Sequence, residues 1–222
     1  MESLKYMELE KEVSLNEGTI VAIAGDDFVV IAADTQIHSN DFIPMCRQDK
    51  IFKVSPLVVM SCTGSWPDTC AVIRLMRTTV SDYEGTHRRP MSIDAMSQML
   101  SNNMYKSRSS PYSISTILAG IDKEGKGVVL SFDSLGHYEQ MNYQSVGTAS
   151  AMVLPILDSH LGPKNQSQET PTERIEVSEA VSIVSSCMVI AGEHDSYSSD
   201  SWLLKIINND GIEVRKPPLH QE

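Results

Sequence analysis

A chain of 222 residues, 41% hydrophobic and 21% charged, has the make-up of a globular protein able to bury a sizeable core. Its net charge of −11 argues against nucleic acid as a partner, because phosphate binding needs a basic face. No apolar run approaches a membrane span, and the acidic start MESLKYMELEKEVSLNE lacks the apolar core of a signal peptide.

Residues 1–17 read as a polar, Glu-rich leader in front of the fold. Residues 18–34 (GTIVAIAGDDFVVIAAD) then give two apolar runs separated by Asp26 and Asp27. Val, Ile and Phe favour strands and Gly-Asp-Asp supplies turn chemistry, so the segment predicts a β-hairpin whose second arm is buried on both faces. Short strands follow at Phe42–Cys46, Lys50–Val54 and Leu57–Cys62. Pro67 suits the start of a helix carrying Ile73, Met76, Val80 and Tyr83 at helical spacing. A second helix is expected from Ser92, with Met96, Met99, Leu100 and Asn103 on one stripe.

Strands return at Ser113–Ile121, Val128–Phe132 and Tyr138–Val146, with turns at 122–127 and 133–136. Gly147-Thr148-Ala149-Ser150 opens a third helix through about Ser159, 161–174 is a polar loop, and Glu176–Ala191 is a fourth helix. Two strands around Asn209-Asp210-Gly211 form a closing hairpin. Strands and helices come in blocks, which predicts an α+β architecture: two facing sheets with a helix layer outside each. No linker divides residues 18–222.

Three candidate sites emerge from the residues themselves. Cys187 with His194 and Asp195 suggests a thiol site, but seven helical residues separate the thiol from its base by about 10 Å, beyond direct hydrogen-bond reach. The six histidines (38, 87, 137, 160, 194, 220) are scattered, and the four cysteines show no zinc spacing, so no metal or other cofactor is expected. Reduced, mostly buried thiols point to the cytoplasm or nucleus. The 122–127 loop lacks the alternating acidic ligands of a calcium site, and His87-Arg88-Arg89 reads as a solvated loop. Asp34 and Lys50, at the ends of two buried strands, form the third candidate; as residues alone they describe a structural ion pair.

Gly18-Thr19, Ala32-Ala33-Asp34, Lys50, Cys62-Thr63-Gly64, Gly147-Thr148-Ala149-Ser150 and Asp195-Ser196-Tyr197-Ser198 together resemble the proteasome β-type family, the N-terminal-nucleophile hydrolases of the 20S core. Ala22 to Phe28, Gly125-Lys126-Gly127, Ser131-Phe132-Asp133 and Ala149 to Met152 narrow the resemblance to the sixth position of the β-ring. It implies a four-layer αββα sandwich. In active members an N-terminal Thr hydroxyl attacks the peptide carbonyl, its own α-amine acts as base, and a buried Lys oriented by an Asp eases alkoxide formation. That Thr lies sixteen residues before the Asp and thirty-two before the Lys. Both counts land on Gly18, which has no side chain.

Thr19 is the alternative nucleophile, giving an active threonine-type endopeptidase once the leader is cleaved. On an extended strand its side chain points to the face opposite its neighbour's, away from Lys50, and with the leader present its amine is not free. The resemblance therefore implies a silent subunit in which Asp34, Lys50, Thr148, Asp195 and Ser198 are remnants. Gln36, His38 and Thr148 stand where active members carry Arg, Thr and Ser. The implied partners are the other β subunits of a seven-membered ring, the α-ring, the opposite β-ring and unfolded, ubiquitin-tagged polypeptide in the chamber. Asp133 is expected to line a substrate pocket of the neighbouring fifth β subunit.

Overall fold

The computed structural model describes residues 15–16, 18–39, 42–46, 48–162 and 175–216. The strands are β1 Leu15–Asn16, β2 Thr19–Ala24, β3 Phe28–Asp34, β4 Gln36–Ser39, β5 Phe42–Cys46, β6 Ile51–Ser55, β7 Val58–Ser65, β8 Ile114–Ile121, β9 Gly127–Phe132, β10 Tyr138–Met141, β11 Tyr143–Gly147, β12 Trp202–Asn208 and β13 Gly211–Arg215. The helices are α1 Trp66–His87, α2 Ile93–Lys106, α3 Ser150–Leu161 and α4 Val177–His194. None of them is long and apolar enough to cross a membrane.

All strand pairs are antiparallel. One sheet has five strands in the order β11-β2-β3-β12-β13. The other has eight: β10-β9-β8-β7 run side by side, and the free edge of β7 is shared end to end by β6 and β1. The expected four-layer α+β sandwich forms, and the alternation of side chains along each strand explains it. On β3, Val30 and Ala32 face α3 and α4, while Val29, Ile31 and Ala33 enter the layer between the sheets. Every residue of β3 is buried. Ile20, Val59, Ile117, Ala119 and Val129 complete the inter-sheet layer, and α1 and α2 cover Met60, Leu118 and Leu130 on the far side. Each fully buried Val or Ile contributes about 1.5–3 kcal/mol.

Helix α1 starts as its residues dictate. The Ser65 hydroxyl accepts the Asp68 N–H at 3.4 Å, and proline occupies the first turn. The stripe on α2 differs from expectation by a slight rotation: Met96, Leu100 and Met104 are buried, whereas Met99 and Asn103 are only half-buried.

Four strand assignments change. The expected strand 138–146 is two strands in different sheets: Met141 pairs with Val129 and Tyr143 with Ile23. Between them Asn142 leaves one ladder for the other, its carbonyl accepting the Ala24 N–H at 2.7 Å. The polar-apolar mixture of both halves hides this crossing in the sequence. β7 continues through Thr63-Gly64-Ser65, and Gly64 is required there because a β-carbon would lie 2.2 Å from the Ser113 carbonyl. β4 and β1 were not expected; they fall in polar segments that read as connections. The expected loop 161–174 lies outside the described residues from 163 onward.

Candidate functional site

Asp34 closes β3 in the five-stranded sheet and Lys50 precedes β6 in the eight-stranded one, so the junction of the sheets brings them together. Lys50 Nζ lies 2.8 Å from both carboxylate oxygens of Asp34, and both side chains are wholly buried. Asp34 also accepts the Thr19 N–H on Oδ1 and the Gln36 N–H on Oδ2, each at 3.1 Å. Burial holds the Asp34 carboxyl above its ordinary pKa and the Lys50 ammonium below its own, while their mutual attraction opposes both shifts. A buried pair of this kind survives because its hydrogen bonds are satisfied; removing one partner strands the other.

Gly18 stands directly over this pair. Its φ of +147° suits glycine, and a β-carbon built there would lie 2.1 Å from Asp34 Oδ1 and 2.7 Å from Lys50 Nζ. The Gly18 carbonyl is pressed against β11: it accepts the Thr148 N–H at 3.2 Å, and a β-carbon on Gly147 would lie 1.8 Å from it.

The Thr19 hydroxyl takes a separate path. Ser198 Oγ donates to Asp195 Oδ2 at 2.7 Å, so the Thr19 hydroxyl donates to Ser198 Oγ at 2.8 Å. Thr19 Oγ1 also accepts the Ala149 N–H at 3.2 Å. Thr148 Oγ1 donates to the same Asp195 oxygen, and the Tyr197 N–H is 3.2 Å from Asp195 Oδ1. The side chains of Thr19, Thr148, Asp195 and Ser198 thus form one network, joined to the Asp34–Lys50 pair through the Thr19 N–H. A pocket of about 430 Å³ opens next to it, between Gly64 of β7 and Ser145–Gly147 of β11.

The structure does not assemble the thiol candidate. Cys187 is buried under α4 with its thiol pushed up to about 11 by desolvation, and His194 is exposed at the helix end. Among the described residues no group of three or more His, Cys, Asp or Glu is placed to hold a metal. Asp133 lies exposed in the turn after β9, where Oδ1 accepts the N–H groups of Leu135 and His137 at 2.9 Å each. The 122–127 segment is a turn of the same kind, with Asp122 Oδ1 accepting from Glu124 and Lys126.

One ion pair escaped sequence reading. Lys205, 7% exposed on β12, reaches Asp49 Oδ2 at 2.6 Å and the Ile51 carbonyl. Together with Gln48, whose N–H reaches the Thr35 carbonyl at 2.8 Å, it straps residues 48–51 to the five-stranded sheet. A lysine inside the apolar run WLLKII was the available signal.

The two-sheet, four-layer sandwich is the fold of the N-terminal-nucleophile hydrolases, and the buried Asp34–Lys50 pair sits at the head of its β2. The chain belongs to the proteasome subunit family, whose model matches residues 15–207. It is 46% identical over 208 residues to proteasome subunit beta type-1 of Drosophila melanogaster, covering 93% of this chain and 88% of that one. It is 36% identical over 214 residues to the beta type-1 subunit of Arabidopsis thaliana, covering 93% and 94%. A probable proteasome subunit beta type-6 of Schizosaccharomyces pombe is 33% identical, over 93% of this chain and 95% of its own. The chain is thus a β-type proteasome subunit resembling the beta type-1 group.

Proposed function

We propose that this chain is a catalytically silent β subunit of the 20S core, built into the inner ring of the chamber that degrades unfolded, ubiquitin-tagged polypeptide. The observation that carries the reading is Gly18. It occupies the nucleophile position, facing Asp34 and Lys50, and offers no hydroxyl. The one nearby hydroxyl on β2, that of Thr19, is engaged with Ser198 and Ala149 instead. With the 18–19 peptide bond intact the Thr19 N–H donates to Asp34, and only cleavage before Thr19 would free that nitrogen to serve as base.

In this reading residues 1–17 are the leader and 18–222 the β-type domain. Asp34, Lys50, Asp195 and Ser198 keep buried polar groups paired, Thr148 is a further remnant of the site, and Asp133 faces the substrate pocket of the adjacent fifth subunit. The partners are the neighbouring β subunits of a seven-membered ring, the α-ring and the opposite β-ring, in the cytoplasm and nucleus.

Intact-mass analysis of the purified particle, with and without a hydroxyl-directed covalent inhibitor, tests the reading. A chain that takes up no inhibitor is expected. A chain beginning at Thr19 and carrying the label overturns it in favour of an active threonine-type endopeptidase subunit.

A further inference from the structure

Lys205 interrupts the apolar inner face of β12. Two residues on, Ile207 enters the layer between the sheets, whereas Leu204 and Ile206 face the helices, so strand alternation turns Lys205 into the inter-sheet layer. A lysine placed there costs desolvation unless its ammonium is engaged. Its Nζ donates to Asp49 Oδ2 at 2.6 Å and to the Ile51 carbonyl. Asp49 Oδ1 accepts the Ile51 N–H at 2.8 Å. Carboxylate and ammonium between them thus hold both main-chain polar groups of Ile51. Lys50 lies inside this clasp, and its own carbonyl accepts the Ser61 hydroxyl at 2.8 Å.

We propose that Lys205 is the positioning residue of the buried Asp34–Lys50 pair: with Asp49 it fixes residues 49–51 in the one register that delivers the Lys50 ammonium to Asp34. The strand that follows specifies its register weakly. In β6 only Ile51 and Ser55 are buried, and its pairing with β7 shifts between Lys53 and Ser55. The order of the charges supplies what the apolar pattern lacks. Asp49 and Lys50 are adjacent and opposite in sign, and they meet Lys205 on β12 and Asp34 on β3, neighbouring strands of one sheet. A slip of one residue in one direction sets Asp49 against Asp34 and leaves Gln48 for Lys205. The opposite slip sets Lys50 against Lys205 and leaves Ile51 for Asp34. Either way one contact becomes like-charged and one buried charge loses its partner, and both are penalised away from water. Fixing register is the best-attested use of buried ionic groups. The ammonium that lies under Gly18 is therefore held in place from β12. The proposal rests on these contacts and holds whether or not the subunit is silent.

Amine labelling of the assembled particle, read by peptide mass mapping, tests it with two variants of the full chain. In the parent chain an acetylating N-hydroxysuccinimide ester should leave Lys50, whose side chain is wholly buried, unmodified. Lys205→Met removes the ammonium. Asp49→Asn removes the charge at a half-exposed side chain, keeps an acceptor for the Ile51 N–H, and decides alone if Lys205→Met does not assemble. In each, Lys50 should label at least about tenfold faster, as expected for local opening, while Cys62, buried on β7, stays closed to iodoacetamide. Lys50 as unreactive in the variants as in the parent chain overturns the proposal. Cys62 opening together with Lys50 overturns it too, because Lys205 would then support the whole junction of the sheets and not the seat of Lys50.

Discussion

The α-carbon of Gly18 faces the Asp34 carboxylate so closely that a β-carbon there would come within 2.1 Å of Oδ1. The space a nucleophile's side chain would need is already filled by an ion pair. Gly18→Thr should therefore not restore a nucleophile. Forcing a side chain into the occupied space, at a positive φ, costs about 1–3 kcal/mol. The expected outcome is a less stable chain, read by urea unfolding, that still takes up no hydroxyl-directed inhibitor; stoichiometric labelling of residue 18 would refute it.

The Asp34–Lys50 pair predicts unequal single and double variants. Lys50→Met strands a buried carboxylate and should cost about 3–5 kcal/mol, whereas Asp34→Asn with Lys50→Met should recover most of that loss. The pH dependence has a definite sign. Burial raises Asp34 in the folded state, so the protonated carboxyl stabilises the fold below the unfolded value of 3.8, and that stability is lost as pH rises through the raised folded value. Without Lys50 the raise is larger. The Lys50→Met deficit should therefore shrink as pH falls from 7 toward 4, and a deficit independent of pH would count against an ionised Asp34.

Thiol reactivity provides a check on the core. Burial pushes Cys62 up to about 12 and Cys187 to about 11, so neither supplies thiolate at pH 8. Iodoacetamide should leave both unlabelled in the native chain and label both after denaturation, read by peptide mass mapping. Rapid native labelling of Cys187 would reopen the thiol-site reading.

Asp133 separates two roles. Asp133→Ala removes the acceptor that caps the N–H groups of Leu135 and His137, while Asp133→Asn keeps an acceptor and removes the charge. If the charge shapes the neighbour's pocket, both variants should change cleavage after large apolar residues and no other specificity. If both leave every peptide substrate's kinetics unchanged, Asp133 only caps its turn.

The sequence by itself determined the layered architecture, because continuous apolar runs commit β2, β3, β7 and β8 to burial on both faces and period-3.6 apolar patterns commit the four helices to one buried face. It also marked Asp34 and Lys50 as charges at the ends of buried strands, though only the resemblance gave their spacing a meaning. What tertiary structure alone decided were relations between distant segments. β10 and β11 part at Asn142 because each finds a different sheet, and nothing local separates them. β1 exists as a strand because β7 offers an edge, and β4 because β1 and β5 flank it; polar residues accept such an edge as readily as apolar ones. Lys205 lies in an apolar strand because Asp49, 156 residues away, supplies its counter-charge. Gly18 is the clearest case: the chain provides a residue without a side chain, and the fold brings Asp34 and Lys50 into the place that side chain would have filled.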